Sequence, residues 1–108
     1  MKKVKIRIEI NDYIIEDQGI LDQEILTLKG EESISFDLKN LVLSKQNKDL
    51  IININFKEKQ VTYTLVEENK KFINNLTIFS LTNSNKQVII RYRIEDADFT
   101  LKINYETK

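Results

Sequence analysis

Apolar and polar residues alternate with a period of two along much of the chain. Val4, Ile6, Ile8 and Ile10 interleave with Lys3, Lys5, Arg7 and Glu9. A helix would turn Ile6 away from Val4 and Ile8, whereas a strand points all four the same way. The same pattern predicts strands at "SISFDL" (33–38), "LIININF" (50–56), "QVTYTLVE" (60–67), "KQVIIRYRIE" (86–95) and "DFTLKINYE" (98–106). A weaker strand is predicted at "EILTLKG" (24–30) and a mixed one at "FINNLTIFSLT" (72–82). "LVLS" reads as a continuation of 33–38 past a kink at Lys39-Asn40, with a helical turn over 40–50 as the alternative. The polar stretches "KEK", "ENKK", "NSNK" and "DA" punctuate the strands as turns. Within 72–82, Leu76 and Ile78 lie on one face and Phe79 and Leu81 on the other, which predicts a bulge or burial on both faces.

Two hairpins can be registered by parity, because a slip of one residue would send every apolar side chain to the wet face. Pairing Ile94 with Phe99 across an Asp96-Ala97 turn sets Tyr92 against Leu101, Ile90 against Ile103 and Val88 against Tyr105. Pairing Phe56 with Val61 sets Ile54 against Tyr63 and Ile52 against Leu65. About eight antiparallel strands joined by short hairpins predict an all-β, up-and-down barrel forming one domain over residues 1–108, with a β-sandwich as the alternative. The expected inward set is Ile6, Ile8, Ile34, Phe36, Ile52, Ile54, Phe56, Tyr63, Leu65, Ile90, Tyr92, Leu101, Ile103 and Tyr105.

Composition narrows the chemistry. The chain has 108 residues, enough for one self-supporting domain. It has no Cys, His, Trp or Pro, and its Gly residues number 2. Without His and Cys there is no Ser-His or Cys-His nucleophile and no zinc site of the usual kind. The two glycines, Gly19 and Gly30, are too far apart for a phosphate-cradling loop. Lys plus Arg and Asp plus Glu each total 17, so no basic excess marks a nucleic-acid binder. The start of the chain is basic but interrupted by Lys5, Arg7, Glu9 and Asp12, so it reads as folded protein and not as a targeting segment. No membrane span is expected, and a cytoplasmic location is the default. The abundance of Ile, Lys and Asn points to an AT-rich genome.

The pattern resembles a group of small bacterial proteins of uncharacterised function that fold as lipocalin-like, eight-stranded β-barrels. The likeness rests on the opening "VKIRIEI", the short aromatic strand "SISFDL" and the final "VIIRYRIEDADFTLKINYE". Where such proteins carry an Arg and a Gly after the fifth strand, this chain has Val66, Glu67 and Glu68. The resemblance implies a closed barrel with the first strand beside the last, and it implies no particular function.

Two surfaces qualify as candidates. The barrel interior, with Phe36, Tyr63, Tyr92 and Tyr105, would hold a small apolar ligand, through an opening between Tyr63, Tyr92 and Tyr105. The outer row Arg91, Arg93 and Lys102, joined by Lys3, Lys5 and Arg7, would offer a basic face to nucleic acid or another polyanion. Its competing reading is a solvated wall balanced by Glu9, Glu95 and Glu106. In the register above, Arg93 faces Thr100 and Arg91 faces Lys102. Asn53, Asn55, Thr62 and Thr64 form an uncharged patch suited to contact. The acidic pairs Glu16-Asp17, Glu31-Glu32, Glu67-Glu68 and Glu95-Asp96 read as turn or loop charges, and "EDADFT" lacks the length and the Gly of a calcium loop. The sequence therefore favours a non-catalytic binding barrel for a small apolar ligand or a protein partner, with no metal and no cofactor. The basic-face module is the alternative. Nucleic acid and membrane are not expected partners, and a second copy could dock through a sheet face or edge.

Overall fold

The computed structural model describes residues 1–28, 30 and 33–107. The strands are β1 (Lys2–Ile10), β2 (Tyr13–Asp22), β3 (Ile25–Leu28), β4 (Ser33–Asp37), β5 (Val42–Gln46), β6 (Leu50–Asn55), β7 (Gln60–Leu65), β8 (Lys70–Ser84), β9 (Gln87–Ile94) and β10 (Ala97–Thr107). Each pairs antiparallel with its chain neighbours, and β1 pairs with β10, so the sheet closes into a barrel. The β-sandwich alternative is thereby excluded, and the first strand does lie beside the last. Among the described residues there is no helix, and no helix long and apolar enough to cross a membrane. The pair Glu31-Glu32 and Lys29, at the end of the strand expected over 24–30, lie outside the described residues.

The barrel has ten strands, not about eight. The additional ones are β2 and β5. β2 contains the Glu16-Asp17 pair, which is expected in a loop and lies in a strand. Tyr13, Ile14, Glu16, Asp17 and Gln18 of β2 are all exposed, because β3 pairs only with its far half, from Gly19 to Asp22. With only Ile15 partly covered on its inner side, that half shows no clear alternation. β5 is a separate strand and neither a continuation of β4 nor a helical turn. The chain reverses at Asp37, whose Oδ1 accepts the backbone N–H groups of Lys39 and Asn40 and whose Oδ2 accepts from Asn40 Nδ2. Leu41 completes the reversal in the left-handed region, at φ 55°.

Both registered hairpins have the predicted faces but are shifted by two residues. Ile94 pairs with Ala97, Tyr92 with Phe99, Ile90 with Leu101 and Val88 with Ile103. Ile54 pairs with Val61, Ile52 with Tyr63 and Leu50 with Leu65. A shift of two keeps each side chain on its face, so parity alone cannot detect it. The turns decide. Glu95-Asp96 closes the later hairpin, with Glu95 at φ 55°. In the earlier one Phe56 belongs to the turn, and Asn55 Oδ1 accepts the N–H of Glu58. The bulge predicted in 72–82 is present between Ile78 and Ser80. Phe79 is the extra residue, and past it Leu81 pairs with Ile90 while remaining exposed.

Most of the expected inward set forms the core. Ile6, Phe36, Phe56, Ile90, Tyr92, Leu101 and Ile103 are almost fully buried, and Ile52, Tyr63 and Tyr105 pack against them partly exposed. Val4, Leu26, Leu28, Leu43, Val61, Leu76, Val88 and Ile94 complete the filling. At Gly19 the strands approach so closely that a Cβ would strike the Thr27 carbonyl oxygen and lie 2.6 Å from Ile6 Cδ1.

Candidate functional site

Because every connection is a hairpin, successive connections fall at alternate ends of the barrel. The upper end holds the β1–β2, β3–β4, β5–β6, β7–β8 and β9–β10 connections. Among the described residues these carry Asp12, Asp49, Glu67, Glu68, Glu95 and Asp96, with Lys48. The lower end carries Lys39, Lys57, Lys59 and Lys86, with Glu24 and Glu58. A chain of zero net charge thus has an acidic end and a basic end.

An apolar cavity of about 200 Å³ lies within the upper half and is partly open. Its walls are Ile10 of β1, Leu43 and Lys45 of β5, Ile52 and Ile54 of β6, Tyr63 of β7, Tyr92 and Ile94 of β9 and Phe99 of β10. Period-two alternation puts all of them on the inner face. Tyr92 forms the floor. Its ring stacks on Phe99, with centroids 5.3 Å apart and planes 19° from parallel, and meets Phe56 edge-on at 5.0 Å. Both geometries suit the ring quadrupoles. Burial pushes the Tyr92 phenol up to about 12, with the neighbouring Tyr63 as the lesser cause. Burial also raises Tyr63, helped by the charge of Glu95. Both phenols are therefore protonated at neutral pH and can donate a hydrogen bond. Lys45 is the charged member of the lining, and its ammonium stands 5.5 Å from the centroid of the Tyr13 ring.

Of the interior residues predicted to meet a ligand, Tyr63 and Tyr92 line this cavity and Phe36 and Tyr105 do not. Phe36 is fully buried in the packing beneath. Tyr105 sits opposite Ile6, and its N–H donates to the carbonyl of Lys86 in a lower-end turn. The expected opening between Tyr63, Tyr92 and Tyr105 is therefore not formed by those three residues together, because Tyr105 is not part of the lining. Lys45 and Ile10 were missed as cavity residues. The signal for Lys45 is its place two residues after Leu43, on the same face of β5.

The basic row is interleaved with carboxylates. Arg93 faces Asp98, not Thr100, and Arg91 faces Thr100, not Lys102, so the expected like-charge opposition does not occur. Arg93 Nε donates to Asp98 Oδ1 at 2.6 Å, and this bond holds the Asp98 carboxyl below its ordinary range. The Arg93 guanidinium also lies 5.3 Å from the centroid of the Phe79 ring. Lys102 faces Glu9 across the seam between β1 and β10. Arg7 binds Glu9 at 2.8 Å and Glu16 at 3.2 Å, and Lys5 binds Glu16 at 3.1 Å. Glu16 was missing from the expected balance because β2 was missing. The uncharged patch is real and longer than expected: Thr27, Ser35, Ser44, Asn53 and Thr62 form one outer row across β3–β7. Ser44 Oγ donates to Asn53 Oδ1 within it at 2.7 Å. A larger groove, about 530 Å³, runs over Met1, Lys3, Asp17, Gln18, Gly19 and Ile20, but it is an open depression on the wall.

Comparison with protein-family models, with curated proteins and with solved structures found no match to the chain.

Proposed function

We propose that this protein is a non-catalytic binding barrel, lipocalin-like in plan, that holds one small apolar molecule in the cavity at its acidic end. The observation that carries the reading is the cavity itself, about 200 Å³ of largely apolar wall next to a cluster of fully buried side chains. Barrels of about eight strands are either filled by side chains or hold one small ligand, and here a cavity for one small molecule stands beside buried packing that includes Phe36 and Phe56. Sites for drug-sized ligands span about 300–1,000 Å³, whereas an apolar void of about 150 Å³ accepts benzene. The occupant is accordingly a single ring or a short branched chain and not a long lipid. Two protonated phenols can orient it, and neither is poised near neutrality for proton transfer.

Ligand-observed NMR with benzyl alcohol tests the proposal on the wild type and on Ile52→Trp. Ile52 lines the cavity and is only partly buried, so the indole can occupy the space without breaking the core. Binding in the wild type and none in the folded variant is the expected result. Equal binding by both proteins, or by neither, overturns it.

A further inference from the structure

We infer that the ligand of this cavity carries a neutral hydrogen-bond acceptor, such as the carbonyl oxygen of an aryl ketone, to which the Tyr92 hydroxyl donates. The inference rests on the cavity being the binding site. Tyr92 lines the cavity and is 2 % exposed. Its ring stacks on Phe99 and meets Phe56 edge-on, which fixes the plane of the ring. Its hydroxyl makes no hydrogen bond to any described residue. Among the described residues no fully enclosed side-chain oxygen lacks a partner, so this hydroxyl is not fully enclosed. The little surface that Tyr92 keeps therefore includes its hydroxyl, and that surface opens on the cavity the residue lines. A wholly apolar molecule filling the space would cover this donor and leave it unpaired, which is costly for any buried polar group.

A tyrosine hydroxyl can both donate and accept. Its oxygen lone pairs are partly delocalised into the ring, so it donates better than it accepts, and burial keeps its proton in place at neutral pH. The head that suits it is therefore an acceptor. A charged head is disfavoured. The Lys45 ammonium already has partners, the Tyr13 ring among them, and apart from it and the two phenols the lining is aliphatic or aromatic. Nothing in that wall offsets the hydration an ion would lose on entry. Tyr63 is the lesser donor, because it is only partly buried and solvent competes for its hydroxyl. A single ring with a carbonyl substituent meets both the size and the polarity of the site.

A cycle that changes the protein and the ligand in turn isolates this contact from differences in solubility between ligands. Acetophenone and α-methylstyrene share one shape and differ by a carbonyl oxygen against a methylene group. Their affinities are measured by ligand-observed NMR for the wild type, Tyr92→Phe and Tyr63→Phe. Phenylalanine keeps the ring that packs on Phe56 and Phe99, so Tyr92→Phe should fold. It should weaken acetophenone about three- to tenfold, the worth of one neutral hydrogen bond, without weakening α-methylstyrene. Tyr63→Phe should change the ratio of the two affinities less. The carbonyl stretch of bound acetophenone should lie at lower wavenumber in the wild type than in Tyr92→Phe. Equal effects of Tyr92→Phe on both ligands, with both excluded by Ile52→Trp, would leave the cavity reading intact and overturn the acceptor. A selective loss of acetophenone in Tyr63→Phe alone would overturn the assignment to Tyr92. Failure of both ligands to bind the wild type, or their undiminished binding to Ile52→Trp, would overturn the cavity reading together with it.

Discussion

Gly19→Ala isolates the closest approach in the barrel wall. Gly19 pairs with Val4 on one side and Leu28 on the other, so it cannot move away from one strand without closing on the next. Its φ is not in the left-handed region, so alanine meets no backbone penalty there. Alanine in a strand interior gains about 0.5–1 kcal/mol over glycine through lower chain entropy. Against that, the new methyl group strikes the Thr27 carbonyl oxygen and sits 2.6 Å from Ile6 Cδ1. Ile6 is fully buried, and the Thr27 oxygen is backbone. Overpacking of this kind costs about 1–3 kcal/mol, so the net effect is a loss of about 1–2 kcal/mol. With roughly 4–8 °C per kcal/mol for a domain of this size, the melting temperature should fall by about 5–15 °C. Urea denaturation followed by circular dichroism measures the change. Ile6→Val removes the flexible half of the clash, so it should cost less in the Gly19→Ala background than its usual 0.5–1.5 kcal/mol alone. A Gly19→Ala protein as stable as the wild type, or additive behaviour of the pair, would refute the close approach.

Lys86→Gly should raise the melting temperature by a few degrees in a thermal scan, because Asn85 and Lys86 form a two-residue hairpin turn at φ 48° and 62°, a place where a Lys costs about 1 kcal/mol. Ile103→Asp should abolish cooperative unfolding, since it buries an unpaired carboxylate at a fully covered position, while Lys102→Glu on the wet face should shift stability by no more than about 1 kcal/mol. The triple change of Arg91, Arg93 and Lys102 to Gln should leave elution from a heparin column unaltered, because carboxylates stand among these cations; strong retention of the wild type alone would restore the basic row as a binding face. The folded protein keeps the Tyr92 phenol neutral up to about 12, against 10.0 for the unfolded chain. Stability is therefore intact below pH 10 and is lost as pH rises through the folded value, by about 2–3 kcal/mol in all. Tyr92→Phe should show a smaller alkaline loss in urea titrations at pH 9 and 12.

Legibility followed burial. Where one face of a strand is buried and the other wet, as at Val4 to Ile10 and Val88 to Ile94, alternation exposed both the strand and its inner side. Where nearly every position meets solvent, as from Tyr13 to Gln18 with only Ile15 partly covered, it said nothing, although Asn11-Asp12 between two apolar runs was a hairpin signal in plain view. Register was legible only to within two residues, since the turn at Glu95-Asp96 depends on a left-handed Glu that no propensity favours. The cavity was half legible. Tyr63 and Tyr92 were found by their face, but height along the barrel axis separates them from Phe36 and Tyr105, and height follows from register and stagger. The acidic and basic ends were invisible for a related reason. One missed strand reverses the end at which every later connection lies, so the polarity emerges only when β2 and β5 are both counted.

The seam between β1 and β10 sets the order in which the barrel can assemble. Nine of its junctions are hairpins that bring together residues adjacent in the chain, but this one joins Ile6 to Tyr105 and Ile8 to Ile103. Hairpins form in about 1–10 μs, whereas pairing partners so distant in sequence bears the full loop-closure entropy before any contact rewards it. Until the seam closes, the growing sheet is a curved ribbon with two unpaired margins, each able to recruit a foreign strand. The margins carry Lys5, Arg7, Glu9, Lys102 and Glu106, charges that discourage such recruitment during the wait. The outer charges of β1 and β10 thus guard the chain while it is still unfinished.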